Sequence, residues 1–177
     1  TNGWIGSQWL NEQSYIFMND GDGSSFTEQA IEIGIDNHGL GRGAILFDHD
    51  NDGDLDLAFV SADIRFTLFR NDASEKNTNR WVRLTLDTSE SPSNAPDGVG
   101  AELIFTTGET TRHRWMQANS GYLSQGPIEV HAGLGAAPMI DQLEIRWANG
   151  AVRVIEDLPV DAQYRFVPCD GDMNGDH

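Results

Sequence analysis

The chain has 177 residues, and its 28 acidic residues against 11 Lys and Arg give a formal charge of −17 at neutral pH. Such a surface repels nucleic acid and anionic membranes, so neither is expected as a partner, whereas divalent cations and basic partners are favoured. No apolar run approaches the roughly 18 residues of a membrane-spanning helix, so membrane insertion is not expected either.

A short internal repeat begins near the N-terminal end. Residues 16–20 (IFMND) are echoed by residues 68–72 (LFRND), 52 positions later. Periods of roughly 40 to 50 residues that contain several short strands are typical of propeller blades. Residues 19–23 (NDGDG), at the end of the first copy, predict a plain turn, the alternative being a weak second cation site. Within the period, strands are predicted at 15–18, 43–47, 55–60 and 65–70.

The stretch from 48 to 56 carries aspartate at every second position, namely Asp48, Asp50, Asp52, Asp54 and Asp56. Alternating carboxylates repel one another, and a hard cation such as Ca²⁺ relieves that repulsion. The first three fall at positions one, three and five of a calcium loop, and Gly53 falls at the sharp turn of position six.

The same spacing assigns position seven to the Asp54 carbonyl and leaves Asp56, at position nine, as the closing carboxylate. Phe59 replaces the Glu that an EF-hand requires, and the flanks read as strands. We therefore predict a calcium loop between two strands, the alternative being an acidic hairpin turn. His49 lies between ligand positions and is expected to point away from the cation.

Three segments resemble the FG-GAP or VCBS-type repeat of calcium-binding β-propellers: residues 19–26 (NDGDGSSF), 41–44 (GRGA) and the aspartate loop. The resemblance implies a four-stranded blade that holds calcium through the loop residues named above. Millimolar extracellular calcium suits a modest site, so we expect a secreted protein. A closed propeller needs at least four blades and the sequence contains little more than one. Either the chain belongs to a longer protein, or the blade packs on its neighbour or on other copies.

The polar stretch 73–80 is predicted as a linker between a blade region at 1–72 and a second domain at 81–168. Past the linker, apolar and polar residues alternate in short segments, which predicts an antiparallel β-sandwich or barrel. The predicted fold is all-β, with a propeller-blade-like repeat packed on that second domain. The predicted strands are 81–86, 101–105, 110–117, 128–132, 140–147, 152–155 and 164–167.

The second domain resembles the ASPIC/UnbV domain, which commonly follows FG-GAP-type repeats. Five short motifs carry the resemblance: residues 79–82 (NRWV), 97–101 (DGVGA), 120–125 (SGYLSQ), 131–135 (HAGLG) and 147–150 (WANG). The last departs from the usual Trp-Pro-x-Gly. The resemblance implies an architecture and no established enzymatic activity.

The last nine residues, 169–177, resemble the opening of a dockerin-type calcium loop. Asp172, Asn174 and Asp176 fall at positions one, three and five, and the chain stops at His177 where glycine is expected. An incomplete loop of this kind predicts a weak metal site and a truncated chain, the alternative being a simple acidic tail. Cys169 is the single cysteine, so no intrachain disulfide is expected.

Catalytic signatures are missing from the sequence, which has no His-x-x-x-His pair and no Gly-x-Ser-x-Gly elbow, so we do not expect an enzyme. A pair of carboxylates converging as in a glycosidase stays open as an alternative.

Two stretches are candidate ligand surfaces. Arg112, Arg114 and Trp115 concentrate cations beside an aromatic, suited to a carboxylated sugar or an acidic strip of another copy. Strand alternation favours a solvated face with both arginines and a buried Trp115. Tyr122 is a candidate for stacking on a sugar, although packing in the core or a turn is favoured.

Together these patterns predict a secreted, calcium-binding structural or adhesion module that contacts an extracellular protein or glycan. A lone blade exposes a sheet face and edge, so self-assembly into a homo-oligomer or filament is expected. The alternative is a carbohydrate-binding accessory module of a larger extracellular enzyme.

Overall fold

The computed structural model describes residues 13–21, 23–35, 37–38, 41–62, 65–119 and 121–168. Regular structure in these ranges consists of β-strands and two short 3-10 helices, Ser74–Lys76 and Pro96–Gly98. The all-β prediction is therefore confirmed. None of the described segments forms a helix long and apolar enough to cross a membrane.

The chain divides into two compact units, and neither is continuous in sequence. The first comprises residues 1–49, 55–71 and 119–126, and the second comprises 50–54, 72–118 and 127–177. Each unit thus contains a short segment whose sequence neighbours belong to the other unit. Residues 50–54 belong to the second unit, and residues 119–126 belong to the first. The central part of the aspartate loop belongs to the second unit.

The first unit contains two small antiparallel sheets. Strands β1 (Phe17–Asn19) and β2 (Phe26–Glu28) pair with each other. Strands β3 (Gly41–Phe47), β4 (Asp56–Ser61) and β5 (Phe66–Phe69) form a three-stranded sheet in that order. The resemblance implied four strands in one blade, but β1 pairs with β2 instead of joining this sheet.

Both faces of the β3-β4-β5 sheet carry apolar side chains. On one face Phe59 is buried, at 5% exposed, and packs edge-on against Phe69 with ring centroids 6.0 Å apart. On the other face Val60 and Phe66 are cross-strand partners, 48% and 64% exposed. Strands that are apolar on both faces are typical of sheets covered from both sides.

Seven strands build the second unit within its described residues, in agreement with the seven alternating segments of the sequence. They are β6 (Arg80–Leu86), β7 (Glu102–Thr107), β8 (Thr110–Trp115), β9 (Val130–Gly135), β10 (Met139–Arg146), β11 (Val152–Pro159) and β12 (Ala162–Phe166).

These strands form two open sheets that share one hydrophobic core. The sheets have the orders β12-β6-β9 and β11-β10-β7-β8. The core contains fully buried side chains from both, including Leu84 of β6, Phe105 of β7 and Leu143 of β10. Burial of each such side chain contributes about 1.5–3 kcal/mol. One pairing departs from the antiparallel prediction, since β12 runs parallel to β6.

Candidate metal centre

The aspartate loop joins β3 to β4, as the sequence predicts. The two strands are antiparallel, and their pairing ends with Phe47 opposite Asp56. Carboxylate oxygens of Asp48, Asp50 and Asp52 all lie within 4.8 Å of one another. Side chains at alternate positions thus converge. Three such oxygens are the hard ligands that calcium takes, so the residues present fit this cation.

Asp56 is fully buried and serves a different purpose from the other aspartates. Its Oδ2 accepts the backbone N–H of His49 at 2.8 Å, and its Oδ1 accepts that of Asn71 at 2.8 Å. Burial alone would raise the pKa of this carboxyl, but the hydrogen bonds from His49 and Asn71 outweigh it and lower the pKa. The carboxylate therefore stays ionised and ties the two ends of the loop and the chain after β5 together.

His49 does not point away from the loop carboxylates, and that prediction was wrong. Its ring Nδ1 lies 2.8 Å from Asp56 Oδ2, the oxygen that also accepts its own N–H. The ring contacts Phe47 edge-on, with centroids 6.5 Å apart. The turn of the backbone brings the imidazole to Asp56, so His49, Asp50 and Asp56 form a second group with ligand atoms within 4.8 Å. Aspartate spacing carries no signal for this contact.

Asp54 uses its carboxylate within the second unit. Its Oδ2 accepts the N–H of Ser74 at 2.5 Å, and its own N–H is donated to Asp52 Oδ1 at 2.8 Å. The side chain is thus oriented toward the 3-10 helix that precedes β6. Calcium binding by the Asp54 carbonyl stays a prediction.

Glycine is required at position 53 by the backbone conformation and by the close approach of the Trp81 ring. Its φ is +94°, and a Cβ added there would lie 1.9 Å from Nε1 of Trp81. Trp81 stacks on His131 with centroids 5.9 Å apart, and His131 Nε2 donates to the Gly53 carbonyl at 2.8 Å. The sequence predicted Gly53 as the turn residue. It did not predict that Gly53 contacts the rings of Trp81 and His131, which are distant in sequence.

Asn51 anchors the loop through its side chain. Its Oδ1 accepts hydrogen bonds from Arg83 Nη2 at 2.6 Å and from Gln163 Nε2 at 3.3 Å. Its φ of +63° is a left-handed conformation that asparagine tolerates. The segment 50–54 is therefore held by residues of β6, β9 and β12, all inside the second unit.

The arginines and the tryptophan of β8 lie on opposite faces, as alternation predicts, but the assignment of the buried face was wrong. Arg112 and Arg114 pair with the core residues Phe105 and Leu103, whereas Trp115 pairs with Glu102 and is 53% exposed. The reason is that β8 is an edge strand, where arginine side chains on the core side extend past the sheet edge into solvent.

Tyr122 lies in a turn of the first unit, and its side chain is 73% exposed. Gly121 and Ser124 form an isolated bridge, and Ser124 Oγ donates to the carbonyl of Ala44 on β3 at 2.9 Å. Residues 121–124 thus pack on β3, and Tyr122 and Trp115 belong to different units.

The remaining predicted sites are a turn and the C-terminal tail. Asn19 Oδ1 accepts the N–H groups of Gly21 at 2.8 Å and Gly23 at 3.1 Å, which is the plain turn predicted for 19–23. Asp172, Asn174 and Asp176 of the dockerin-like tail lie outside the described residues.

Comparison with known proteins finds a family match in the second half of the chain. No curated protein matches this sequence. The family model described as ASPIC and UnbV matches residues 90–172, just under half of the chain, a range that contains β7 to β12. The match does not reach the aspartate loop or the strands of the first unit. The chain thus carries, over residues 90–172, a region similar to the ASPIC and UnbV family.

Proposed function

We propose that this protein is a secreted, calcium-stabilised module with a structural or adhesive role and no catalytic activity. The convergence of the Asp48, Asp50 and Asp52 carboxylates carries the proposal. Three anions held this close destabilise the folded loop, and a divalent cation removes the repulsion.

Calcium would be held by these three side chains together with the carbonyl of Asp54. Asp56 accepts three hydrogen bonds and has little acceptor capacity left, so its contribution is to fix the loop ends. When bound, the cation supplies charge neutralisation at the β3–β4 connection. Binding to the folded state alone would raise stability by about 4 kcal/mol at a thousandfold excess over Kd.

Calcium titration by calorimetry, combined with thermal melting, tests this proposal. The wild type is expected to bind calcium and to melt at higher temperature with it, and Asp50→Ala is expected to lose both effects. Glu109→Ala, which removes an exposed acid from the β7–β8 turn, is the matched control for net charge and should respond like the wild type. An equal response of Asp50→Ala would contradict the proposal, as would a wild type without any response.

The adhesive part of the proposal rests on the apolar sheet of the first unit. Val60 and Phe66 present adjacent exposed side chains on one face of the β3-β4-β5 sheet. An exposed apolar patch on a sheet is typical of an association surface. We propose a second copy of the chain as its partner, which gives an oligomer or filament.

A second candidate function is favoured by the exposure of Trp115, which is 53% accessible on a sheet face. Under this proposal the protein is a carbohydrate-binding accessory module of a larger extracellular enzyme. Binding to a glycan array that is lost in a Trp115→Ala or Tyr122→Ala variant would support it over self-association, whereas an array without any bound glycan would contradict it.

A further inference from the structure

We propose that the outer face of the β11-β10-β7-β8 sheet binds a neutral oligosaccharide, with Trp115 as the platform on which a sugar ring stacks. The surface is defined by Trp115 and His113 of β8, Glu102 of β7 and Arg146 of β10, and is called the Trp115 face. This inference rests on the second candidate function and is independent of cation binding.

The strand register places these side chains on one face. Glu102 is the cross-strand partner of Trp115 on one side and of Arg146 on the other, and His113 precedes Trp115 by two residues. Partners across antiparallel strands point to the same side of the sheet. The opposite side belongs to the core, where the neighbouring residues Leu103 and Phe105 are fully buried.

Trp115 is both exposed and fixed. It is 53% accessible and stacks on the His113 ring, with centroids 6.2 Å apart and an angle of 24° between the planes. The His113 Nδ1 is in turn 2.8 Å from Glu102 Oε1. A large apolar ring held on a rigid strand is a surface that gains free energy when another flat apolar surface covers it, as the C–H face of a pyranose does.

Polar groups beside the indole are held in place by one another. Arg146 Nη1 lies 3.4 Å from Glu102 Oε2, and Arg146 Nε donates to Glu144 Oε1 at 2.6 Å. These contacts, above all the one with Glu144, raise the pKa of Arg146. Fixed carboxylate acceptors and guanidinium donors next to an aromatic ring can bond the hydroxyl groups of a sugar that stacks there.

The charges of the Trp115 face argue for a neutral ligand. Arg146 is already compensated by two glutamates, so a uronic acid or sulfated sugar would find no unneutralised cation there. Arg112 and Arg114, the cations that suggested an acidic sugar, lie on the opposite side of β8. A second copy of a chain with a net charge of −17 is likewise disfavoured on this face.

The face extends beyond one sugar ring. Arg146 pairs with Val152 and Glu144 pairs with Val154 on β11, and these valines are 53% and 49% exposed. Neighbouring strands are about 4.8 Å apart, so the row from Trp115 to Val152 crosses roughly 14 Å of sheet. A surface of this width favours an oligosaccharide over a monosaccharide.

The test titrates the full chain with soluble neutral hexasaccharides of β-linked glucose, mannose and xylose, and with a hexauronate of similar length. Calorimetry gives the affinity. The difference in tryptophan fluorescence change between the wild type and Trp115→Phe reports contact of the sugar with this indole. At least one neutral hexasaccharide is expected to bind, and Trp115→Ala should weaken it at least about tenfold. Phe26→Ala removes an aromatic of similar exposure, 57%, from β2 of the first unit and should leave the affinity unchanged.

Melting temperatures of the variants provide the folding control, since removing a half-exposed side chain from an edge strand should hardly change them. Neutral-sugar binding that survives in Trp115→Ala would overturn the Trp115 face while sparing carbohydrate binding by the protein. Binding to the hexauronate alone would overturn the assignment of a neutral ligand. Absence of binding to every sugar tested would overturn both this inference and the second candidate function.

Discussion

Gly53 combines two demands on one residue, a left-handed backbone and a contact with the Trp81 indole. We predict that Gly53→Ala lowers the free energy of unfolding by about 3 kcal/mol or more, because the methyl group must displace the ring or the loop. Urea denaturation measures the change.

Gly150→Ala separates the two causes. Gly150 has nearly the same φ, +92°, but a Cβ there meets no atom within 4 Å. This variant should lose only the backbone part, about 1 kcal/mol. Equal losses at both positions would show that the Trp81 contact contributes nothing.

A single residue, Asp87, makes the stability of the second unit depend on pH. The Ser89 N–H and side chain, together with Arg165, lower its pKa to about 2 from an ordinary 3.8. A lowered carboxyl pKa contributes stability that is complete above pH 3.8 and is lost as the pH falls toward 2. We predict that the stability difference between wild type and Asp87→Asn shrinks across this window, measured by urea midpoints at each pH.

Direct NMR titration of the Asp87 carboxyl checks the cause. Arg165 Nη2 donates to Asp87 Oδ2 at 2.6 Å, so Arg165→Gln should raise the pKa of Asp87 only part of the way from about 2 toward 3.8. The hydrogen bonds from Ser89 persist in this variant. An unchanged midpoint difference between pH 4 and 2 would count against the assignment.

At the scale of an element, the aspartate loop contains carboxylates of two kinds. Asp56 is buried and accepts bonds from His49 and Asn71, whereas Asp50 is exposed. We predict that Asp56→Ala costs about 3 kcal/mol or more even without calcium, because the backbone N–H groups of His49 and Asn71 lose their ionised acceptor. Asp50→Ala should change the calcium-free stability by less than about 1 kcal/mol. Chemical denaturation in a chelator distinguishes them, and similar losses would refute the division.

Local pattern predicted the elements well, since alternation gave the seven strands of the second unit and aspartate spacing gave the β3–β4 loop. Pairing partners were harder to predict, because they depend on contacts distant in sequence. The parallel pairing of β12 with β6 is one such contact, and the anchoring of Ser124 to Ala44 is another.

Strand β8 shows how the prediction of a buried face fails. Alternation correctly separates Arg112 and Arg114 from Trp115, but it does not say which side faces the core. The usual preference of tryptophan for burial chose the wrong side. An edge strand reverses that preference, because charged side chains on its core side discourage pairing with another strand.

At the scale of the whole molecule, the net charge and the exposed apolar sheet have opposite effects on association. We predict a mass that rises with concentration in calcium, measured by size-exclusion chromatography with light scattering, and a monomer for Phe66→Glu. Ile31→Glu is the matched control, since Ile31 is also 64% exposed but lies in a turn outside that sheet. A wild type that stays monomeric at high concentration with calcium would contradict self-association.

The exchange of short segments between the two units has a consequence for synthesis on the ribosome. Strands β3 to β5 are complete by residue 69, yet the turn that packs on β3 is not made until residue 124. At about 5–20 residues per second, translation leaves β3 without this turn for several seconds. During that interval the Ala44 carbonyl on the edge strand β3 lacks the hydrogen bond from Ser124, and we expect this edge to be open to pairing with another strand.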